Sequence, residues 1–144
     1  MIRKATITVM IICGCMWGLA LVTRVDSAEP EKGASAFKPV ASVHSLMEGQ
    51  ETFFKKIDEA LKNPKAPKRM NQIGVGAEVL AELANVNTRN KSEADYVQWA
   101  GELRDMAVEL AGEAKKKEGA NEEKLNSLFT KMKAACQACH DKYQ

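Results

Sequence analysis

The sequence predicts an all-α protein, an antiparallel up-down-up-down four-helix bundle. Four long segments carry apolar residues at alternating steps of three and four, which is the spacing of one helix face. Short polar connections separate these segments, and connections this short favour antiparallel neighbours. No segment shows the strict alternation of apolar and polar residues that is typical of a strand.

The first two helical segments run from about residue 40 to 61 and from about residue 68 to 86. Prolines at positions 64 and 67 end the first segment, because proline disfavours helix in the residue before it. Each segment has one apolar or semi-polar stripe that we expect to face the interior. The stripes are Val43, Met47, Gln50, Phe54, Ile57 and Leu61, then Ile73, Ala77, Leu80 and Ala84.

The last two segments run from about residue 92 to 117 and from about residue 121 onwards. Ser92 and Asn121 are the expected N-caps, since each precedes acidic residues that the helix dipole favours in a first turn. The corresponding stripes are Tyr96, Trp99, Leu103, Met106, Leu110 and Ala114, then Leu125, Leu128, Met132, Cys136, Cys139 and Tyr143.

The chain opens on a basic and then apolar segment. Residues 5–22 are almost wholly apolar, and Ala28 is suited to cleavage by a signal peptidase. We interpret residues 1–28 as a secretory signal peptide, residues 29–39 as a flexible leader and residues 40–144 as one domain. If the apolar segment is retained, it would instead tether the domain to a membrane, because it approaches the roughly 20 residues that span a bilayer.

The charge and the cysteine content of the predicted mature chain bear on its partners and its location. The whole chain has 21 basic and 19 acidic residues, and cleavage after Ala28 would remove three basic residues and one acidic residue, which leaves 18 of each. This balance gives no indication of a nucleic acid or an anionic membrane as a partner. Cys13 and Cys15 would leave with the signal peptide, so Cys136 and Cys139 would be the only remaining cysteines. Export favours a periplasmic or other extracytoplasmic location.

Near the C-terminus the chain reads Cys136-Gln137-Ala138-Cys139-His140, a C-x-x-C-H motif. This motif is typical of the attachment of a c-type haem. Each thiol can form a thioether with one haem vinyl group, and the histidine can ligate the iron as proximal ligand. We therefore predict one covalently bound haem c. A zinc site is the alternative, but it needs about four ligands and only His44 could join these three.

A four-helix bundle with C-x-x-C-H on its last helix resembles the class II cytochromes c, the cytochromes c-prime and their low-spin relatives. The resemblance covers residues 40–144 and includes the aromatic Tyr143 that follows the motif. Low-spin members place a methionine ligand on the first helix, so the resemblance implies Met47 as sixth iron ligand. Five-coordinate members place a bulky apolar group there and bind NO or CO. His44, close to Met47 on the same helix, is an alternative ligand.

The resemblance implies an exported electron carrier that is not an enzyme, with redox proteins as partners. A membrane-tethered subunit of a redox complex is a further alternative, and the family allows a homodimer. The chain departs from the family's pattern at Val43 and Gln144, where basic residues are common. Lys133 and Lys142 are therefore the candidate partners of the haem propionates.

Overall fold

The computed structural model describes residues 37–143, which form an all-helical bundle. Within this range the helices are α1 (Val43–Lys62), α2 (Arg69–Asn87), α3 (Ala94–Ala114) and α4 (Glu122–Tyr143). These residues include no strand, and the all-α prediction is confirmed. The predicted signal peptide and most of the predicted leader lie outside the described residues.

Contacts between helix ends show that successive helices run antiparallel. Arg69, at the start of α2, donates to the carbonyl oxygen of Ala60 near the end of α1 and to Glu122 at the start of α4. Asp95, at the start of α3, accepts a hydrogen bond from Tyr143 at the end of α4. The starts of α1 and α3 therefore lie at the same end of the bundle as the last turns of α2 and α4. No helix of residues 37–143 is long and apolar enough to cross a bilayer.

The core consists of buried apolar side chains from all four helices. Its larger members are Ile57, Leu61, Ile73, Leu80, Leu103, Leu110, Leu125, Leu128, Phe129 and Met132. Most of them lie on the predicted stripes, because each stripe faces the other helices. Burial of apolar surface at about 25 cal/mol per Å² is the main source of stability in such a core. Gly76 lets α1 and α2 approach closely, since a Cβ there would lie 3.0 Å from Ile57 Cγ1.

Side-chain caps define the starts of α1 and α4. Ser42 is the N-cap of α1, and its Oγ accepts a hydrogen bond from the Ser45 backbone N at 3.1 Å. The sequence predicted that α1 begins near residue 40. The Ser42 cap explains why it begins at Val43 instead. Asn121 caps α4 as predicted, because its Oδ1 accepts a hydrogen bond from the Lys124 backbone N at 2.9 Å.

The start of α3 differs from the prediction. Helix α3 begins at Ala94, and the residue at its N-cap position is Glu93, which makes no side-chain capping bond. Ser92 therefore lies one residue too early to cap the helix, and that prediction was wrong. Asp95 takes over part of the role, since its carboxylate accepts a hydrogen bond from the Tyr96 backbone N at 3.0 Å.

The end of α3 also comes earlier than residue 117. The helix ends at Ala114, and a 3₁₀ turn at Lys117–Gly119 follows it. The buried carboxylate of Glu113 accepts a hydrogen bond from the Asn121 backbone N at 2.9 Å, which draws the chain back towards the helix it has just left. This contact joins residues that are eight positions apart, and no local pattern predicts it.

Candidate functional site

The antiparallel topology gathers the predicted site residues at one end of the bundle. Met47 lies in an early turn of α1, and Cys136, Cys139 and His140 lie in the last turns of α4. All four side chains line one cavity of about 30 Å³. Two larger neighbouring openings, of about 310 and 210 Å³, are also lined by both Met47 and His140. The structure thus brings together all four residues that the sequence predicts to hold the haem.

The 310 Å³ opening is lined chiefly by side chains of α1 and α4. These two helices contact each other far less than the pairs α1 and α2, α2 and α3, or α3 and α4 do. Where they meet, Phe54 of α1 stacks on Phe129 of α4 with ring centroids 4.3 Å apart. Phe54 also lines the opening. The aromatic pair therefore closes one end of a gap whose sides carry Met47 and His140.

Both cysteines are free and half-buried. Cys136 packs against the apolar core, and burial raises the pKa of its thiol to about 11. Burial also raises the pKa of the Cys139 thiol, although the nearby Lys91 ammonium opposes that shift. The Cys136 thiol is therefore protonated at neutral pH. A thiol must lose its proton before it can bind a metal as a thiolate. The raised pKa values of these two thiols therefore weaken metal binding by their sulfurs.

The sulfur of Met47 contacts one of the most buried polar side chains of the bundle. Asn87, at the end of α2, is 1% exposed. Its Nδ2 lies 3.9 Å from Met47 Sδ, and its Oδ1 accepts a hydrogen bond from Asn90 Nδ2 at 3.2 Å. Asn87 was not predicted from the sequence, since asparagine near a helix end is ordinarily a cap. Its burial could have been predicted from its position, because it lies three residues after Ala84 and continues the buried stripe of α2.

Two other buried side chains line the 30 Å³ cavity with a polar atom that has no hydrogen-bond partner among residues 37–143. These atoms are Gln50 Nε2 and Tyr96 Oη. Gln50 is 8% exposed and Tyr96 is 2% exposed. A buried donor without a partner costs about 1–3 kcal/mol, so such atoms are typical of a place where another group binds. The 30 Å³ cavity has room for about one or two water molecules, so a group as large as haem would also have to occupy the 310 and 210 Å³ openings. Apolar walls with a few polar donors are typical of a cofactor site.

Aromatic and charged residues surround the 210 Å³ opening. Tyr143 Oη donates to Asp95 Oδ1 at 2.6 Å, and Lys142 forms an ion pair with the same carboxylate. Lys142 and Tyr143 together lower the pKa of Asp95 to about 2, and Asp95 raises the pKa of Tyr143 to about 12. The Lys91 ammonium lies 4.5 Å from the centroid of the Tyr143 ring. Of the two candidate propionate partners, Lys142 is thus engaged by Asp95, while Lys133 lines the 310 Å³ opening.

His44, the alternative iron ligand, lies on the outer part of α1. Its side chain is 83% exposed, and its Nε2 lies 3.4 Å from Glu48 Oε1. It nevertheless lines both larger openings together with Met47 and His140. The two histidines of the chain therefore share the same end of the bundle, with His44 at the rim.

The remaining surface carries two larger grooves, of about 550 and 780 Å³, neither of which is lined by cysteine or histidine. In the part of the chain that the structure describes, no group of three or more His, Cys, Asp and Glu side chains is arranged to hold a metal ion. Comparisons of the chain with protein-family models, with curated proteins and with solved structures found no match.

Proposed function

We propose that the protein is an exported c-type cytochrome that carries electrons, with one haem between α1 and α4. In this proposal Cys136 and Cys139 hold the haem through thioethers, His140 is the proximal iron ligand and Met47 is the sixth ligand. One observation supports it most strongly. Met47 and His140 come from distant parts of the sequence, yet both line the 30 Å³ cavity together with Cys136 and Cys139. Both also line the two neighbouring openings, each beside one of these cysteines.

When bound, the haem supplies an iron that alternates between the ferric and ferrous states, and the protein supplies binding and orientation. As a ligand, the Met47 thioether would favour the ferrous state and so raise the reduction potential relative to ligation by a second histidine. If His140 and Met47 both bound the iron, no position would remain for a substrate, so this proposal does not include enzymatic activity. Leu103 and Ala135, which line the 30 Å³ cavity, would help to exclude water from the iron ligands.

A second candidate function is the binding of NO or CO at a five-coordinate iron. The donors Gln50 Nε2 and Tyr96 Oη support it, because both lack a partner among the described residues and both line the cavity beside Met47. A diatomic ligand can accept a hydrogen bond from such a donor. In this function Met47 would pack over the iron and restrict access to it without binding it.

Absorption spectra of protein matured together with a haem-attachment system distinguish the two functions. The electron carrier is expected to be low-spin in the ferric state, with a sulfur-to-iron charge-transfer band that Met47→Ala abolishes. Met106→Ala is the matched control, since Met106 packs against the core and lines none of the three openings. A high-spin spectrum that Met47→Ala leaves unchanged, with CO binding to the ferrous protein, would favour the second function. If the pyridine haemochrome spectrum shows no thioether-bound haem, both functions are refuted.

Export is a separate part of the proposal. It depends on the basic and apolar character of residues 1–28. Intact mass measurement of the matured protein is expected to place the new N-terminus at or near Glu29. A mass that retains residues 5–22 would instead support the membrane-tethered alternative.

A further inference from the structure

We infer that Asn87 is a positioning residue for Met47, and that its side-chain amide holds the methionine sulfur in place for the iron. The inference rests on the proposed function, in which Met47 is the sixth ligand. It concerns a residue of α2, a helix that carries none of the residues predicted to hold the haem.

The burial of Asn87 requires partners for both ends of its amide. A buried amide without hydrogen bonds costs free energy, and Asn87 is 1% exposed. Asn90 satisfies the oxygen, because its Nδ2 donates to Asn87 Oδ1 at 3.2 Å. The Asn90 backbone N also donates to the Asn87 carbonyl oxygen at 3.0 Å, which fixes the turn that carries both residues. The amide nitrogen therefore faces away from Asn90, and its acceptor is Met47 Sδ at 3.9 Å.

The chemistry of a thioether suits this contact. The sulfur has two lone pairs, so it can accept a weak hydrogen bond with one and retain the other for a metal. Methionine is flexible, with three rotatable side-chain bonds, and ordering such a side chain costs free energy. An amide that already holds the sulfur reduces that cost, which is the general effect of preorganisation. Asn87 is thus expected to strengthen Met47 against a competing ligand.

Competition with imidazole for the ferric iron of the loaded protein measures this effect. Asn87→Leu is expected to tighten the apparent binding of imidazole about threefold to tenfold, since one hydrogen bond that favours Met47 is lost. Asn85→Leu is the matched control, because Asn85 lies on the same helix and is exposed. It is expected to leave the affinity for imidazole unchanged.

A double-mutant cycle shows whether Asn87 acts through Met47. In a Met47→Leu background, Asn87→Leu is expected to have no effect on imidazole binding. Asn90→Ala is a milder variant, because it keeps the Asn87 amide donor and removes only the hydrogen bond that orients it. It is expected to tighten imidazole binding by a smaller factor. It also serves if Asn87→Leu fails to load haem.

Two results would overturn the inference while the proposed function stands. One is an imidazole affinity in Asn87→Leu, or in Asn90→Ala if the leucine variant does not load, that equals that of Asn85→Leu. The other is an equal increase with and without Met47. A purely structural role of Asn87 would lower the unfolding midpoint without changing the competition. A wild-type protein that lacks thioether-bound haem or the sulfur-to-iron band would instead refute the proposed function itself.

Discussion

Replacing Glu122 by glutamine is expected to destabilise the bundle by about 1 kcal/mol at pH 7. The Arg69 guanidinium donates to both carboxylate oxygens of Glu122, at 2.5 and 2.7 Å. Its Nε donates to the Ala60 carbonyl oxygen at 2.8 Å. One buried side chain therefore joins the starts of α2 and α4 to the end of α1, at the end of the bundle opposite the candidate site.

The magnitude follows from the burial of the two partners. Hydrogen bonds to charged groups contribute about 1.5–3 kcal/mol. Glu122 is 53% exposed, so water screens its charge, and a glutamine oxygen can still accept one bond from Arg69. Glu123→Gln is the matched control, because Glu123 is exposed in the same first turn of α4. Both variants lose a similar interaction with the helix dipole, so their difference isolates the contact with Arg69.

The effect should depend on pH in one direction. The hydrogen bonds and charge of Arg69 lower the pKa of the Glu122 carboxyl from its usual value of 4.5. A carboxyl whose pKa is lower in the folded state contributes stability that is fully present above its unfolded pKa. That stability is lost as the pH falls through the folded pKa. The wild type is therefore expected to exceed Glu122→Gln in stability at neutral pH, and the difference should vanish in strong acid.

Urea unfolding followed by circular dichroism measures the difference. The midpoint of Glu122→Gln is expected to fall with an unchanged slope, since the same surface is exposed on unfolding. Thermal unfolding should show a Tm lower by roughly 4 °C. Equal stabilities of Glu122→Gln and Glu123→Gln at pH 7 would contradict this account of Arg69. A difference that does not shrink as the pH is lowered would contradict the pKa argument.

Two further pairs of variants test the packing of α1 and the helix starts, each by urea unfolding. Gly76→Ala is expected to be less stable than Gly112→Ala by about 1–3 kcal/mol, because the new Cβ would lie 3.0 Å from Ile57 Cγ1 at one site and meets nothing within 4 Å at the other. Equal stabilities would refute the close approach of α1 and α2. Ser42→Ala should cost about 1 kcal/mol through loss of the cap. The free energy of unfolding of Ser92→Ala should stay within about 0.5 kcal/mol of the wild-type value. A larger loss would show that Ser92 does cap α3.

Most of the fold could be predicted from helical periodicity, and the candidate site was predicted mainly from the C-x-x-C-H motif. The stripe of α2, for example, placed Ile73, Ala77 and Leu80 in the core, and all three are buried. This works because burial on one face is a local property of a helix. Antiparallel topology then predicts that the start of α1 faces the end of α4. The choice of Met47 as the residue that faces His140 came instead from the resemblance to the class II cytochromes c.

Contacts between distant residues could not be predicted in the same way. The bond from Asn87 to Met47 and the contact of Arg69 with Glu122 join residues that are 40 and 53 positions apart. Their formation depends on side-chain placement in the packed bundle, which periodicity does not specify. The start of α3 was mispredicted for a similar reason, because several polar residues in a row offer alternative caps.

The central claim of the proposed function is that Met47 and His140 would both bind the iron of one covalently attached haem. The ferric absorption spectrum of the matured protein tests it most directly. The account predicts a low-spin spectrum with a sulfur-to-iron charge-transfer band, from a protein that carries one thioether-bound haem per chain. A high-spin ferric spectrum, or a chain that matures without covalent haem, would contradict it.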